Sequence, residues 1–166
     1  MTTVSEAIKK RHSARAFKDR DVDLETVKNI IQIAKQSPSG VNTQPWNVYV
    51  LSGDARDKLV NEATSRYDQG KMDGQEYLVY PKEMPDWYKE RRRAVGWAMY
   101  GAIGIEKGDT EKMMAQGRKN YEFFGAPVGI FITVKNCVGP NGWGHVGHFI
   151  QNVCLLAIEN GLATCL

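Results

Sequence analysis

A cluster of basic side chains near the start of the chain has the composition of an anion-binding segment. Between residues 9 and 20, six basic side chains accompany a single acid, Asp19. The centre of this cluster, here called the basic stretch, consists of Arg11, His12, Ser13, Ala14 and Arg15. Guanidinium groups bind phosphate through paired hydrogen bonds, and a serine hydroxyl completes the shell. The stretch therefore predicts a phosphate-binding segment, although such runs also occur at solvated helix ends, where they complement the helix dipole.

A second stretch, residues 37–46, combines small, polar and proline residues and is here called the binding loop. In order, its residues are Ser37, Pro38, Ser39, Gly40, Val41, Asn42, Thr43, Gln44, Pro45 and Trp46. The two prolines fix two φ angles and push the preceding residues out of the helical region, which predicts a stiff loop. Gly40 lets the backbone approach a ligand closely, and the polar side chains offer donors and acceptors. The alternative is a polar connection between a helix and a strand.

The elements around these stretches can be predicted from caps and periodicity. The sequence Thr3-x-x-Glu6 is a capping-box pattern and predicts a first helix that ends at the basic stretch. Asp23 is placed to cap a second helix, which stops by Pro38. Alternating apolar residues after the loop predict a strand at residues 47–51. The binding loop is therefore expected to join a helix to a strand.

Beyond a third predicted helix, residues 68–86 lack any regular pattern. Loops of this length in compact domains are usually functional or disordered. One interpretation is a lid that places aromatic rings over a flat substrate, and the other is an exposed excursion of the chain. The aromatic residues within or just after the segment are Tyr77, Tyr80, Trp87 and Tyr88.

The second half of the chain predicts mainly helices around one apolar strand. The predicted elements are a helix capped by Asp86, a helix at about residues 109–124, a central strand at residues 128–134, a loop at residues 139–144, a buried helix at residues 145–160, and the start of a strand at residues 161–166. Gly161 is placed to end the buried helix.

Length and composition are those of a small globular domain. The chain has 166 residues, of which 42% are hydrophobic and 25% charged, and that suffices for one core. We predict a single domain over residues 1–166. The net charge of +3 favours anionic ligands. Because the basic residues are scattered among 19 acids without an aromatic-interleaved stripe, we predict no nucleic-acid partner.

Apolar runs and cysteine usage bear on the location of the protein. No apolar run approaches membrane-spanning length, and residues 1–20 lack the core of a signal peptide. We therefore predict no membrane association and a cytoplasmic location. The three cysteines, Cys137, Cys154 and Cys165, are odd in number and lack a C-x-x-C pair, which argues against a disulfide framework. We expect all three to be buried free thiols.

Other catalytic and metal motifs are weak or missing. His145 and His148 lie about one helical turn apart, with Cys154 later in the same predicted helix, but no further ligand has suitable spacing. We therefore predict no metal site. The Walker and serine-hydrolase glycine motifs do not occur. No pair of acids is singled out for acid-base chemistry, so the catalytic residues stay unassigned.

Taken together, the basic stretch and the binding loop resemble the FMN-dependent nitroreductase family. The shared motifs are Arg-x-Ser-x-Arg, here Arg11 to Arg15, and Pro-Ser-x-x-Asn-x-Gln-Pro-Trp, here Pro38 to Trp46. The similarity continues through residues 120–128 and a Trp143-x-x-x-Gly147 segment, so it covers nearly the whole chain. Within the family, the chain is similar to the branch that includes nitrobenzoate-type reductases. One departure is His145, at a position where that branch often carries an acid.

The resemblance implies an α+β nitroreductase-type fold with a mostly antiparallel central sheet flanked by helices. It also implies an obligate homodimer with the flavin in the subunit interface. One subunit would bind the FMN cofactor through Arg11, His12, Ser13 and Arg15, and the other through Pro38, Ser39, Gly40 and Asn42. The implied reaction has two steps, in which NAD(P)H delivers hydride to FMN and the reduced flavin passes electrons to an acceptor. The acceptor would be a nitroaromatic, a quinone or another small flat aromatic molecule.

Two alternatives stay open within the resemblance. The first is a reductive dehalogenase or flavin reductase of the same fold, which would differ chiefly in residues 68–86. The second is a catalytically silent flavin-binding protein. It is suggested by the end of the chain at Leu166, because in the family the corresponding segment continues into backbone near the flavin. We therefore expect that the sequence lacks the C-terminal segment of the family.

Overall fold

The protein combines six α-helices with one antiparallel sheet in the part of the chain that its computed structural model describes, residues 2–71, 74, 78 and 80–166. The elements are α1 (Val4–Lys10), α2 (Leu24–Ala34), β1 (Trp46–Ser52), α3 (Gly53–Asp68), α4 (Asp86–Ala102), α5 (Thr110–Arg118), β2 (Val128–Val134) and α6 (Pro140–Glu159). Short 3₁₀ turns occur at Gly40–Asn42, Phe123–Gly125 and Asn136–Val138. The predicted α+β class is confirmed.

The chain divides into two compact units. Unit 1 consists of Met1–Asn61 and Glu122–Leu166, and unit 2 of Glu62–Tyr121. Unit 1 contains both strands, α1, α2 and α6, and with them the basic stretch and the binding loop. Whether the whole chain acts as one domain, as the sequence suggests, stays a prediction. No helix in the described residues is long and apolar enough to cross a membrane.

The core of unit 1 lies between α2, α6 and the sheet. The two strands pair antiparallel, from Trp46 opposite Val134 to Ser52 opposite Val128. Among the described residues β2 has β1 as its one partner strand, so the predicted central position of β2 is not observed. The core cluster consists of Ile30, Ala34, Trp46, Phe149 and Val153.

The end of the binding loop is part of this core. The rings of Trp46 and Phe149 stack with centroids 5.0 Å apart and planes inclined by 17°. Phe149 is fully buried at 0% exposure. Stacked aromatic pairs add about 0.5–1.5 kcal/mol to the free energy gained from burial. The position of Trp46 is therefore set by α6.

The predicted caps of the first two helices are confirmed. At α1, the Thr3 hydroxyl accepts a hydrogen bond from the Glu6 N–H, and the Glu6 carboxylate accepts one from the Thr3 N–H at 2.8 Å. At α2, the Asp23 carboxylate accepts hydrogen bonds from the N–H groups of Glu25 and Thr26. These bonds satisfy backbone donors that lack partners within the helices. The two caps therefore define where α1 and α2 begin.

Helix α6 begins five residues earlier than predicted, at Pro140. The predicted loop at residues 139–144 is wrong, because proline at the first position of a helix has no N–H to leave unsatisfied and a φ angle suited to the helix. The far end matches the prediction: Gly161 has φ 71°, and the Leu162 N–H donates to the Ala157 carbonyl at 2.8 Å. Of the predicted strand at residues 161–166, the structure contains one isolated bridge, between Ser13 and Thr164.

Two other helix limits in unit 2 differ from the prediction. Asp86 is the first residue of α4 and makes an ion pair with Lys89 at 3.0 Å, whereas Pro85 occupies the cap position. Helix α5 starts where predicted, with Asp109 as its cap, but it ends at Arg118 and not near residue 124. The Asn120 side chain donates to the Gly117 carbonyl at 2.9 Å and so competes with the helical hydrogen bond.

The three cysteines are free but differ in exposure. Cys154 is buried, Cys165 is half-buried and Cys137 is exposed. The expectation of buried thiols is therefore correct for Cys154 alone. Cys137 lies in an exposed 3₁₀ turn, whereas Cys154 lies on the buried side of α6.

Candidate functional site

Three polar side chains on one face of α6 hold the binding loop. His145, His148 and Asn152 are spaced by three and four residues, which places them on the same side of a helix. The Gly40 N–H donates to His145 Nε2 at 3.1 Å. His148 Nδ1 lies 3.4 Å from the Pro38 carbonyl oxygen, and Asn152 Nδ2 donates to Ser37 Oγ at 2.7 Å. Three of the first four residues of the loop are thus connected to a helix more than 100 residues later in the chain.

Ser37 connects the loop to α2 as well as to α6. Its side chain is almost fully buried, with 3% of the residue exposed. The Ser37 hydroxyl donates to the Ala34 carbonyl at 2.6 Å while it accepts from Asn152. Since Ala34 is the last residue of α2, this hydroxyl joins the end of one helix to the face of another.

The backbone of the loop is strained where its side chains are most exposed. Val41, Asn42 and Gln44 have positive φ angles of 45°, 58° and 45°. A positive φ is costly for a β-branched residue such as Val41, whose side chain is 97% exposed. Such strain persists only where surrounding contacts hold it, and it is concentrated at functional sites.

Hydrogen bonds within the loop close it on itself. Ser39 Oγ accepts from the Gln44 N–H at 2.9 Å, and Gln44 Nε2 donates to Asn42 Oδ1 at 3.2 Å. A polar cleft of about 320 Å³ lies beside these residues. The cleft is lined by Gln32, Lys35, Gln36, Ser37, Asn42 and Gln44.

Gly40 has a packing reason to be glycine that differs from the predicted one. A Cβ atom at this position would lie 3.2 Å from His145 Nε2, which is tighter than an ordinary contact. The sequence predicts that Gly40 allows close approach of a ligand, whereas the structure places the imidazole of His145 against it.

The basic stretch is attached to unit 1 through its backbone. Ser13 forms a parallel bridge with Thr164, and the Ala14 N–H donates to the Thr164 carbonyl at 2.9 Å. Arg11 is half-buried at the end of α1, whereas His12 and Arg15 are exposed. This connection brings the stretch to the chain segment that follows α6.

The charged side chains of the stretch make only local contacts. His12 Nδ1 lies 3.0 Å from the Lys10 carbonyl oxygen, and Arg15 Nη1 donates to the Ser13 carbonyl at 3.4 Å. Within the described residues, neither Arg11 nor Arg15 forms an ion pair with a carboxylate. Two guanidinium groups are therefore available to an anionic ligand.

A buried hydroxyl beside the basic stretch also lacks a partner. Thr164 Oγ1 is inaccessible to solvent, and no hydrogen-bond partner for it is found in the part of the chain described. Next to it, burial raises the pKa of the Cys165 thiol, while the Arg15 guanidinium opposes that shift. An unsatisfied buried hydroxyl costs about 1–3 kcal/mol. The donor set fits a phosphate-bearing ligand with polar ring edges.

Helix α6 positions both candidate stretches. It packs against α1, which leads into the basic stretch, and against α2, which leads into the binding loop. Among the described residues no hydrogen bond joins the two stretches to each other. The structure thus groups Ser37, Pro38 and Gly40 with α6, and Ser13 and Arg15 with the segment around Thr164.

A family model, described as the nitroreductase family, matches residues 8–166 of this chain. The chain belongs to the nitroreductase family. Its resemblance to that family, drawn from the basic stretch and the binding loop, is confirmed. This nitroreductase-family chain has the family's fold, with the helices and the antiparallel strand pair described above.

Individual relatives cover almost all of this nitroreductase-family chain. It is 35% identical over 163 residues to the 4-nitrobenzoate reductase of Nocardioides sp. (strain LMS-CY), a match that covers 95% of this chain and 65% of that protein. It is 32% identical over 164 residues to the nitrobenzene nitroreductase of Ectopseudomonas oleovorans, covering 98% of this chain and 72% of that protein. The chain thus spans slightly less than two thirds of the first relative's length.

A solved structure shows the same arrangement. The crystal structure of the FMN- and NADPH-dependent nitroreductase NfnB from Sphigopyxis sp. strain HMH matches with a TM-score of 0.92 at 39% identity. The match covers 98% of this chain and 74% of that chain. The family match at residues 8–166 includes the basic stretch, the binding loop and α6.

Two of the aromatic residues predicted to form a lid, Tyr80 and Trp87, have an arginine over the ring. Tyr77 lies outside the described residues. The Arg92 guanidinium lies 4.3 Å from the centre of the Tyr80 ring, and that of Arg91 lies 5.0 Å from the Trp87 ring. The rings of Trp87 and Tyr88 meet edge to face at 5.1 Å. One face of Tyr80 and of Trp87 is therefore taken by a cation.

The roles of His145 and His148 were missed by the sequence analysis. In the described residues no group of three His, Cys, Asp or Glu side chains is placed to hold a metal ion. Both imidazoles instead face the binding loop. The signal was the row of His145, His148 and Asn152 along one side of an otherwise apolar helix, since polar groups at such positions need hydrogen-bond partners.

Proposed function

We propose that this chain is an FMN-dependent NAD(P)H oxidoreductase that reduces nitroaromatic compounds, quinones or similar small flat aromatic acceptors. The observation that carries the proposal is the role of α6, which holds the binding loop with its side chains and packs against the helix that ends at the basic stretch. The names of two relatives at 35% and 32% identity, both nitroaromatic reductases, support the acceptor class. The FMN- and NADPH-dependent structural relative supports the cofactors.

In the proposed complex the basic stretch binds the cofactor from one subunit. Arg11, His12 and Ser13 hold the phosphate and the polar edge of the ring system. Arg15 places a positive charge where the reduced cofactor carries negative charge, and so favours the reduced form. When bound, FMN supplies the hydride-accepting and electron-donating chemistry. No side chain is assigned a catalytic role, and water supplies the protons for nitro reduction.

The binding loop completes the site of a second copy of the chain. In this proposal Pro38, Ser39, Gly40 and Asn42 contact the flavin bound by the partner of a homodimer. The exposure of Pro38, Gly40 and Asn42 and the absence of hydrogen bonds between the loop and the basic stretch in the described residues agree with this division. Because cofactor binding and assembly are thermodynamically linked, FMN affinity falls on dilution. A monomer that retains tightly bound FMN in sedimentation would contradict the division.

Other parts of the proposal concern location and substrate selection. The protein acts in the cytoplasm, where NADH and NADPH are available. Tyr80, Trp87 and Tyr88, together with Tyr77, select flat acceptors by stacking. Since arginines already cover one face of Tyr80 and Trp87, an acceptor stacks on the opposite faces of these rings.

The test starts with purified protein incubated with FMN and freed of excess cofactor. We expect a bound flavin spectrum and NAD(P)H oxidation that depends on added 4-nitrobenzoate. A protein that stays colourless after this treatment would refute the proposal. Turnover of a halogenated phenol without turnover of 4-nitrobenzoate would establish the dehalogenase alternative. Bound FMN without NAD(P)H oxidation by any acceptor would establish the silent flavin-binding alternative.

A further inference from the structure

We propose that His145 is the positioning residue of the binding loop: its Nε2 lone pair fixes the Gly40 backbone in the conformation that contacts the cofactor. The inference deepens the proposed function and rests on it for the identity of the ligand. The fixation of the loop itself is independent of any ligand, because the hydrogen bond joins two parts of the same chain.

The donor and acceptor roles determine the tautomer of each histidine. The Gly40 N–H can only donate, so His145 Nε2 accepts and the imidazole proton lies on Nδ1. The Pro38 carbonyl can only accept, so His148 Nδ1 donates. The two histidines therefore hold adjacent parts of the loop in opposite ways: His145 accepts from a loop N–H, and His148 donates to a loop carbonyl.

Apolar burial cannot hold this part of the loop. Residues 40–44 are all exposed, and the side chain of Val41 is 97% exposed. The favourable free energy of burying apolar surface is therefore nearly missing there, while ordering the backbone still costs conformational entropy. Polar bonds remain. Within the segment the Asn42 N–H donates to the Ser39 carbonyl, the Thr43 N–H donates to the Gly40 carbonyl, and Gln44 Nε2 donates to Asn42 Oδ1. Two further bonds lie at its ends: the Gly40 N–H donates to His145 on α6, and the Gln44 N–H donates to Ser39 Oγ.

The strained residues lie between these two bonds. Val41 and Asn42 have positive φ angles and directly follow Gly40. Releasing the Gly40 N–H would let Val41 relax to an ordinary negative φ, since a β-branched residue has little tendency to stay in the left-handed region. Asn42, which we place at the cofactor, would move with it. His145 thus acts on the ligand through the loop and needs no contact with the ligand.

Two substitutions at position 145 separate hydrogen bonding from packing. His145→Gln keeps an acceptor, because the glutamine side-chain oxygen reaches roughly the position of Nε2. His145→Leu removes the acceptor and keeps an apolar side chain of moderate size. Gln151→Leu serves as the matched control, since Gln151 is exposed on the same helix and forms no hydrogen bond with the loop within the described residues. Thermal unfolding of each variant verifies that the fold is intact.

The first measurement is amide hydrogen exchange of residues 39–44 in the protein without FMN. We expect His145→Leu to raise the exchange rate of the Gly40 amide by about tenfold, the scale of one hydrogen bond, while His145→Gln and Gln151→Leu stay within about threefold of the parent. Equal exchange in the parent and His145→Leu would overturn the proposal. The proposal would also be overturned if the Gly40 amide exchanged as fast in His145→Gln as in His145→Leu.

The second measurement is the FMN dissociation constant from flavin fluorescence. We expect His145→Leu to raise it by about tenfold and His145→Gln to restore most of the affinity. A parent that binds no FMN while its Gly40 amide is protected would refute the proposed function and leave the fixation of the loop by His145 supported. If His145→Leu does not fold, Gly40→Ala replaces it. The added Cβ would lie 3.2 Å from His145 Nε2 and push the imidazole away. Because Gly40 is in an exposed loop, the fold should tolerate this change. The same increase in exchange is expected.

Discussion

The two stretches proposed to bind the cofactor are held in opposite ways. The binding loop is fastened through side chains, with His145, His148 and Asn152 of α6 each bonded to one of its first four residues. The basic stretch is fastened through its backbone, by the bridge between Ser13 and Thr164. The conformation of the loop is therefore fixed. In the basic stretch the backbone is fixed, whereas the charged side chains bond only to nearby carbonyls.

This difference suits what each stretch is proposed to recognise. A flat ring is recognised by shape, and a loop whose backbone is set before binding loses little entropy when the ligand arrives. A phosphate is recognised by charge, and long guanidinium side chains such as Arg11 and Arg15 adapt their geometry around it. The unpartnered Thr164 hydroxyl lies at the stretch whose side chains are free, so the unmet hydrogen-bonding capacity is concentrated on that side.

The largest expected effect comes from removing the aromatic ring that links the loop to the core. Phe149→Ala should lower the free energy of unfolding by about 3–5 kcal/mol, as expected for a buried aromatic residue, because Phe149 is fully buried and stacks on Trp46. Denaturant unfolding followed by tryptophan fluorescence measures it. Phe149→Leu keeps apolar volume and should cost clearly less. A loss below about 1 kcal/mol in the alanine variant would show that the loop does not depend on this contact.

Removing the charge proposed to bind phosphate should weaken cofactor binding without changing the fold. Arg11→Ala should raise the FMN dissociation constant by about 10- to 150-fold, the equivalent of one charge-assisted hydrogen bond. The control is Lys18→Ala, which removes a charge from the same basic run at an exposed position outside the motif. Isothermal titration at fixed ionic strength measures both. If the two variants lose affinity equally, the stretch acts through net charge and not through a defined contact.

Arg15 should act on the electron affinity of the bound cofactor. Arg15→Ala should lower the two-electron reduction potential by about 30–65 mV, since about 30 mV corresponds to 1.4 kcal/mol and a charged hydrogen bond is worth about 1.5–3 kcal/mol. Arg15→Lys should restore part of the potential, because the charge remains without the paired geometry. Spectroelectrochemical titration of flavin-saturated variants measures the shift. A shift in Arg11→Ala with none in Arg15→Ala would reverse the two assignments.

The smallest expected effect concerns the N-terminal cap of α1, the helix that leads into the basic stretch. The hydrogen bond from the Thr3 N–H lowers the pKa of the Glu6 carboxyl below its ordinary value. A lowered folded-state pKa stabilises the protein above the ordinary glutamate pKa of about 4.3, and this contribution is lost as the pH falls through the folded-state value. Parent and Glu6→Gln should therefore differ slightly in unfolding free energy near pH 7 and converge below about pH 4.

Denaturant unfolding across this pH range compares the two proteins, and the other capping carboxylates cancel because both proteins contain them. A difference that grows as the pH falls would contradict the assigned direction. The binding loop is held by uncharged groups and the imidazoles of α6, so the Glu6 substitution should leave its amide exchange unchanged.

Helix starts and stops were predictable from the sequence because their chemistry is local. The capping box of Thr3 and Glu6, the cap at Asp23 and the termination at Gly161 each join groups within about five residues, and the structure contains all of them. The motifs of the basic stretch and the binding loop could also be recognised from the sequence, and the family that they indicated is confirmed. The start of α6 was missed because a glycine-rich, proline-containing segment predicts a loop by composition, whereas Pro140 at the first position starts a helix.

The contacts that shape the site were decided by the tertiary structure. The bond from Gly40 to His145 spans 105 residues, and Ser13 meets Thr164 across most of the chain. Similarly, Arg56 donates to the carbonyls of Glu122 and Ala126 from the start of α3. Such long-range pairs leave no periodic pattern in the sequence. Polar residues on an apolar helix face indicate that hydrogen-bond partners are needed, but not which ones. Which partners they find depends on how α6 packs against α1, α2 and the sheet, because hydrogen bonds act only over about 3 Å.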